Sequence, residues 1–145
     1  MSKPRTDDKS IENHHRLIRG ISQALIDKTK GFEEQEAPCP TSNMFKFDLD
    51  DDSEASMSVI LEEELKTASR TLDDIDKYWV GLLGLKADNV RDRDLGICRS
   101  PTGIEPAHGD VFDKAYRSRS KLKRLQKEIA EMAEWLKVPR HTGSA

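Results

Sequence analysis

The apolar residues of this chain recur at spacings of three and four, and that spacing most constrains what it can fold into. Leu61, Leu65, Ala68, Leu72, Ile75, Trp79 and Leu82 alternate steps of four and three without interruption. One face of an α-helix has that period, because about 3.6 residues complete a turn. Val111, Ala115, Ser118, Leu122, Leu125, Ile129, Met132 and Leu136 repeat the pattern. Ile11, Ile18, Leu25 and Phe32 stand seven apart, and Leu17, Ile21 and Ala24 widen their stripe. The spacing predicts three helices, at about 9–30, 54–85 and 110–138.

Helix-breaking and capping residues agree with those spans. All six prolines (Pro4, Pro38, Pro40, Pro101, Pro106 and Pro139) fall outside them, as residues that cannot donate the helical hydrogen bond should. Asp7, Asp8 and Ser10 are candidate caps for the first span, Asp52 and Ser53 for the second, and Asp110 and Asp113 for the third. Gly20 stands inside the first, where it allows a close approach or a bend. The two longer seams predict an antiparallel, coiled-coil-like pair, with Trp79 opposite the small Ser118. The expected fold class is therefore all-α, an antiparallel three-helix bundle with long loops at 34–52 and 86–109. Its expected organisation is a single helical domain over 9–138, between a flexible N-terminus at 1–8 and a flexible tail at 139–145.

Composition bounds the core and the setting. Only 35% of the 145 residues are hydrophobic, and as many are charged, against about 45–50% and about 25% in typical domains. Such a chain can supply one buried stripe per helix and little more. No apolar run approaches the roughly 20 residues of a membrane-spanning helix, so no membrane partner is expected. Met1–Asp8 is polar, unlike a secretory signal. Cys39 and Cys98, a single distant pair, fit neither a disulfide framework nor a zinc motif. Free thiols and a cytoplasmic localisation are the expectation.

The net charge of −3 conceals a segregation. Residues 32–76 carry fourteen acidic and three basic side chains, whereas 111–145 carry nine basic and four acidic. Two candidate surfaces follow. Phe45, Phe47 and Leu49 alternate beside Asp48, Asp50, Asp51 and Asp52, which suits an extended segment docking into an apolar groove with a basic rim. Lys114, Arg117, Lys121 and Arg124 fall at three-four spacing, which suits tracking of phosphates. The competing reading of that stripe is neutralisation by acids within the fold.

Bond chemistry finds little support. Counted from Asp48, an EF-hand loop would need Gly at Ser53 and Glu at Val59. Glu12-x-x-His15 and Glu105-x-x-His108 share a spacing with di-iron ligands, but the second copy lies in a proline-containing loop. Cys98, beside Arg99 and ten residues before His108, is the nearest thing to a nucleophile. No catalytic residue, metal or cofactor is assigned. The expected function is a small non-enzymatic regulatory protein that binds another protein, with homodimerisation through its seams. The alternative is a nucleic-acid-binding regulator using the basic stripe.

Overall fold

A computed structural model describes residues 5–27, 39–49 and 54–139. In chain order it contains β1 (Arg16–Ile21), α1 (Gln23–Asp27), a 3-10 turn (Ser42–Phe45), β2 (Ser56–Leu61), α2 (Glu62–Thr67), α3 (Leu72–Asp76), β3 (Gly81–Lys86), α4 (Ala87–Arg91), β4 (Leu95–Arg99), β5 (His108–Asp113), α5 (Arg119–Met132) and β6 (Glu134–Lys137). The strands form one antiparallel sheet in the order β4-β5-β2-β1-β3-β6. The fold is mixed α/β. The all-α three-helix bundle and its coiled-coil pair are overturned.

Each predicted helix fails for a physical reason. Over 9–30 the chain makes β1 and the five-residue α1. Leu17 and Ile18 are both fully buried, one in each of the two apolar cores that flank the sheet. A strand covered on both faces carries adjacent apolar residues, and adjacent pairs imitate a helical stripe. Over 54–85 the seam is divided among β2, α2, α3 and β3. The Met57–Leu61 run includes β-branched Val59 and Ile60, which favour a pleated surface. Between α2 and α3, Ser69 takes a φ of 56° and breaks the helix. The Asp74 carboxylate then accepts the Thr71 backbone N–H at 2.7 Å, half of a capping box that starts a new helix.

Over 110–138 the prediction is right only in the middle. Leu122, Leu125 and Ile129 do form the buried stripe of α5. Val111, however, belongs to β5 and Leu136 to β6. The helix starts at Ser118, whose hydroxyl accepts from the Lys121 N–H at 3.4 Å. The segment expected as a long loop at 86–109, with room for a short helical turn near Ala87–Asp94, carries α4 within that turn and also β4. The predicted Trp79–Ser118 pairing does not form: Trp79 packs over Gly20 of β1.

The two faces of the sheet are covered unequally. On one, Leu17, Met57, Leu61, Leu83, Ile97 and Val111 meet Leu122, Leu125 and Ile129 of α5 in a large core that also holds Phe45. On the other, Ile18, Ile60 and Leu82 meet only Leu65, Ile75 and Ala107, with Leu72, Trp79 and Leu136 partly buried around them. The free edge of β4 is occupied by the chain's start. The Asp8 N–H donates to the Ile97 carbonyl at 2.7 Å, and the Asp7 carboxylate accepts the Ile97 N–H at 2.8 Å.

Two central strands part company. The β1–β2 ladder comprises only Leu17–Leu61 and Ile18–Ile60, although both strands continue. Beyond it, the Arg19 guanidinium donates to the carbonyls of Ser58 at 2.7 Å and Met44 at 3.0 Å. One side chain thus ties β1, β2 and the 3-10 turn together. Burial pushes the Arg19 pKa below its ordinary value, and Asp48 partly offsets this. Replacing Arg19 by Met leaves two carbonyls without their donors, at about 1–3 kcal/mol each where no water replaces it. Urea denaturation of Arg19→Met is expected to show a loss of about 2–4 kcal/mol; a change under about 0.5 kcal/mol would contradict this role.

Candidate functional site

The under-covered face of the sheet holds a cleft of about 340 Å³. Its floor is Ile18, Gly20, Ser58 and Ile60, one wall is Tyr78 and Trp79, and the other is Ile104, Glu105 and His108. The volume lies at the lower end of the range of about 300–1,000 Å³ usual for ligand sites. Strand alternation builds the floor, because Ile18 and Gly20 share one face of β1 while Ser58 and Ile60 share that face of β2. Glycine at position 20 is a requirement: a Cβ there would stand 2.2 Å from Cδ2 of Trp79. The indole is held by the chain on either side of it. The Trp79 N–H donates to the Asp76 carbonyl at 3.1 Å, and the Val80 N–H donates to that of Ile21 at 2.9 Å.

The opposite wall is a loop locked by its own polar groups. Arg70 donates to both carboxylate oxygens of Glu105, at 2.7 and 2.8 Å. The same carboxylate accepts the Ala107 N–H at 2.9 Å. The Glu105 N–H donates to the Thr102 hydroxyl at 2.7 Å, and the Leu61 N–H donates to the Ala107 carbonyl at 2.8 Å. Bidentate Arg–carboxylate pairs are among the more rigid ones. The Arg70 hydrogen bonds hold the Glu105 carboxyl below its ordinary value of 4.5, against a smaller opposing effect of burial. This loop presents Ile104 at 89% exposure, and Tyr78 across the cleft is 61% exposed.

The polar groups near the cleft are hydrogen-bonded to their neighbours. His108 Nδ1 lies 2.8 Å from the Ser100 hydroxyl and 3.0 Å from the Ser100 carbonyl oxygen. A carbonyl can only accept, so Nδ1 carries the proton. The hydroxyl therefore takes part as an acceptor and is not activated by this nitrogen. The ring's free lone pair is then on Nε2, in a wall shared with Ile104 and with the Glu105 carboxylate that Arg70 occupies. Cys98 sits beside Asp110 in the sheet register, and burial, with help from Asp110, raises its thiol pKa. An activated thiol needs the opposite shift.

One group of metal-ligand types, Glu12, His14 and His15, comes together within 4.8 Å among the described residues. His15 Nδ1, however, accepts the Glu12 backbone N–H at 3.1 Å. The neutral ring then carries its proton on Nε2, whereas a ligating histidine keeps a free nitrogen and donates from the other. The group closes a turn.

The residues singled out from sequence fall as follows. Phe45 and Phe47 are buried in the main core, and the Phe47 N–H donates to Gln126 of α5 at 3.0 Å. Their rings are under the helix and present no docking surface. Asp48 makes an isolated bridge to Ser56; Asp50, Asp51 and Asp52 lie outside the described residues. Arg117 is engaged by the fully buried Asp113 and by the Arg93 carbonyl, and Lys114 faces Asp94 at 3.9 Å. Both precede α5, so only Lys121 and Arg124 of the four stand on its exposed surface. Sequence reasoning passed over Tyr78, Ile104 and Arg70, and met Glu105 only as half of a metal-ligand spacing. The available signal was an isoleucine in the polar turn Thr102-Gly103-Ile104-Glu105-Pro106, where no periodic stripe could use it.

Compared with protein-family models, curated proteins and solved structures, the chain finds no match.

Two outcomes follow from the geometry. Gly20→Ala is expected to destabilise by about 1–3 kcal/mol through overpacking, with a changed near-ultraviolet dichroism as Trp79 is displaced; an unchanged spectrum would refute the contact. The Arg70–Glu105 pair should contribute at every pH above the free carboxyl's 4.5 and be lost as pH falls through the lowered folded value. Urea midpoints measured from pH 7 to pH 2 should fall less steeply in Glu105→Gln than in the parent, and equal slopes would count against the pair.

Proposed function

We propose that this chain is a binding module whose cleft receives an apolar side chain of a protein partner. The observation that carries the reading is Ile104: it is 89% exposed, yet its loop is fixed by the bidentate Arg70–Glu105 pair. A mobile loop could expose an isoleucine incidentally. A locked one presents it at a constant position, and pre-ordered contacts lower the entropy cost of association. Trp79, Tyr78 and Ile104 together make the kind of aromatic and aliphatic patch that supplies binding hot spots.

The cleft also specifies its guest. Its lining is mostly apolar, and His108 Nε2 offers one acceptor. An aromatic side chain carrying an N–H or O–H, as tryptophan and tyrosine do, satisfies both features. Binding of this kind acts by occlusion or bridging.

The test is selection from a displayed random-peptide library on the intact protein. Enriched peptides are expected to share an aromatic anchor, and their binding is expected to fall at least tenfold in Ile104→Asp. That variant should keep its stability within about 0.5 kcal/mol, because the position is a surface one. Failure to enrich any peptide, or equal binding by the variant, would overturn the reading.

A further inference from the structure

The arginines of this protein are, for the most part, paired. Arg16 meets Glu62, Arg70 meets Glu105, Arg91 meets Asp7, Arg99 meets Asp8 and Glu64, and Arg117 meets Asp113. Helix α5 stands apart. Arg119, Lys121, Lys123, Arg124 and Lys127 fall within its first nine residues, all exposed. Among the described residues no carboxylate lies within ion-pair distance of any of them. Of the described acids in the acidic middle, Glu62 and Glu64 pair with Arg16 and Arg99, and Asp73 with Lys137.

This arrangement is unfavourable for the helix alone. The first turn of α5 contains no acidic residue, and cations at the positive end of a helix dipole cost about 0.3–1 kcal/mol each. An external anion relieves that cost. The surface is not built for a protein anchor, because its exposed residues from 119 to 127 are only Arg, Lys and Ser. Lysine is depleted in protein interfaces, whereas Arg, Lys and Ser are the usual donors to phosphate oxygens. A groove of about 440 Å³ adjoins this surface, its rim carrying Arg119, Lys123 and Lys46 with Ser42 and Asn43, and its lining including the apolar Phe47, Leu49 and Leu122.

We infer that the outer face of α5, with Lys46, binds the phosphate backbone of nucleic acid without reading its sequence. From Arg119 to Lys127 the helix rises about 12 Å. Phosphates along one strand advance about 3.4 Å each, so the face spans about three or four of them. Three neutralised phosphates predict a slope of log K against log salt of about −3 on duplex DNA.

The test is fluorescence anisotropy with a labelled 20-base-pair duplex of arbitrary sequence and the full chain, from 50 to 200 mM NaCl. Affinity is expected to fall about 40-fold over that range. The double variant Lys121→Glu, Arg124→Glu is expected to lose at least tenfold at 50 mM while keeping its circular dichroism. Ile104→Asp, on the other face of the sheet, is expected to bind as the parent does. Binding that ignores salt, an unaffected double variant, or equal affinity for poly-glutamate-matched anionic polypeptide surfaces (an acidic protein partner) would overturn the assignment.

Discussion

A six-stranded sheet has two faces to cover, and among the described residues there is one long helix with which to do it. That inequality shapes the rest of the molecule. The apolar stripe of α5 (Leu122, Leu125 and Ile129) seals one face together with Phe45 and Phe47. The other face is left to two short helices and to single residues such as Ala107 and Trp79. The cleft between Trp79 and Ile104 lies where the covering stops, and its floor is the same β1–β2 pair whose other side is fully packed. Arg19 holds that pair together where its ladder ends, so the cleft's floor and the main core depend on the same guanidinium.

Charge follows a similar division. Several described acids of the acidic middle pair with β1, β4 and β6. Glu62 takes Arg16, Glu64 takes Arg99, and Asp73 takes Lys137. The near-balance of the whole chain therefore coexists with an unbalanced helix. The protein presents two unlike surfaces: an apolar cleft on one face of the sheet, and a cationic helix on the other.

Much of this was hidden in the sequence for a definite reason. Seven-residue spacing marks a helix only if the residues belong to one element. Leu61 ends β2, Leu65 sits in α2, Ile75 in α3 and Leu82 in β3, and their regular steps join four elements by coincidence. Local signals against a continuous helix were present in Thr71-x-x-Asp74 and in the β-branched Val59-Ile60. The stripe of α5 was legible because fourteen residues give it enough turns to show its period. Gly20 was legible as a site of close approach, but its neighbour is an indole and not a helix. The cleft was not legible: Ile104 and Tyr78 matter because they are not periodic, and the Arg70–Glu105 lock joins residues 35 positions apart.

The most direct measurement is the effect of a soluble paramagnetic agent on the isoleucine methyl signals of the folded protein. The unequal covering of the sheet predicts strong broadening at Ile104, weak broadening at Ile60, and none at Ile21, Ile97 or Ile129, which α5 and the sheet enclose. A protected Ile104, or broadening at Ile129 equal to that at Ile104, would contradict it.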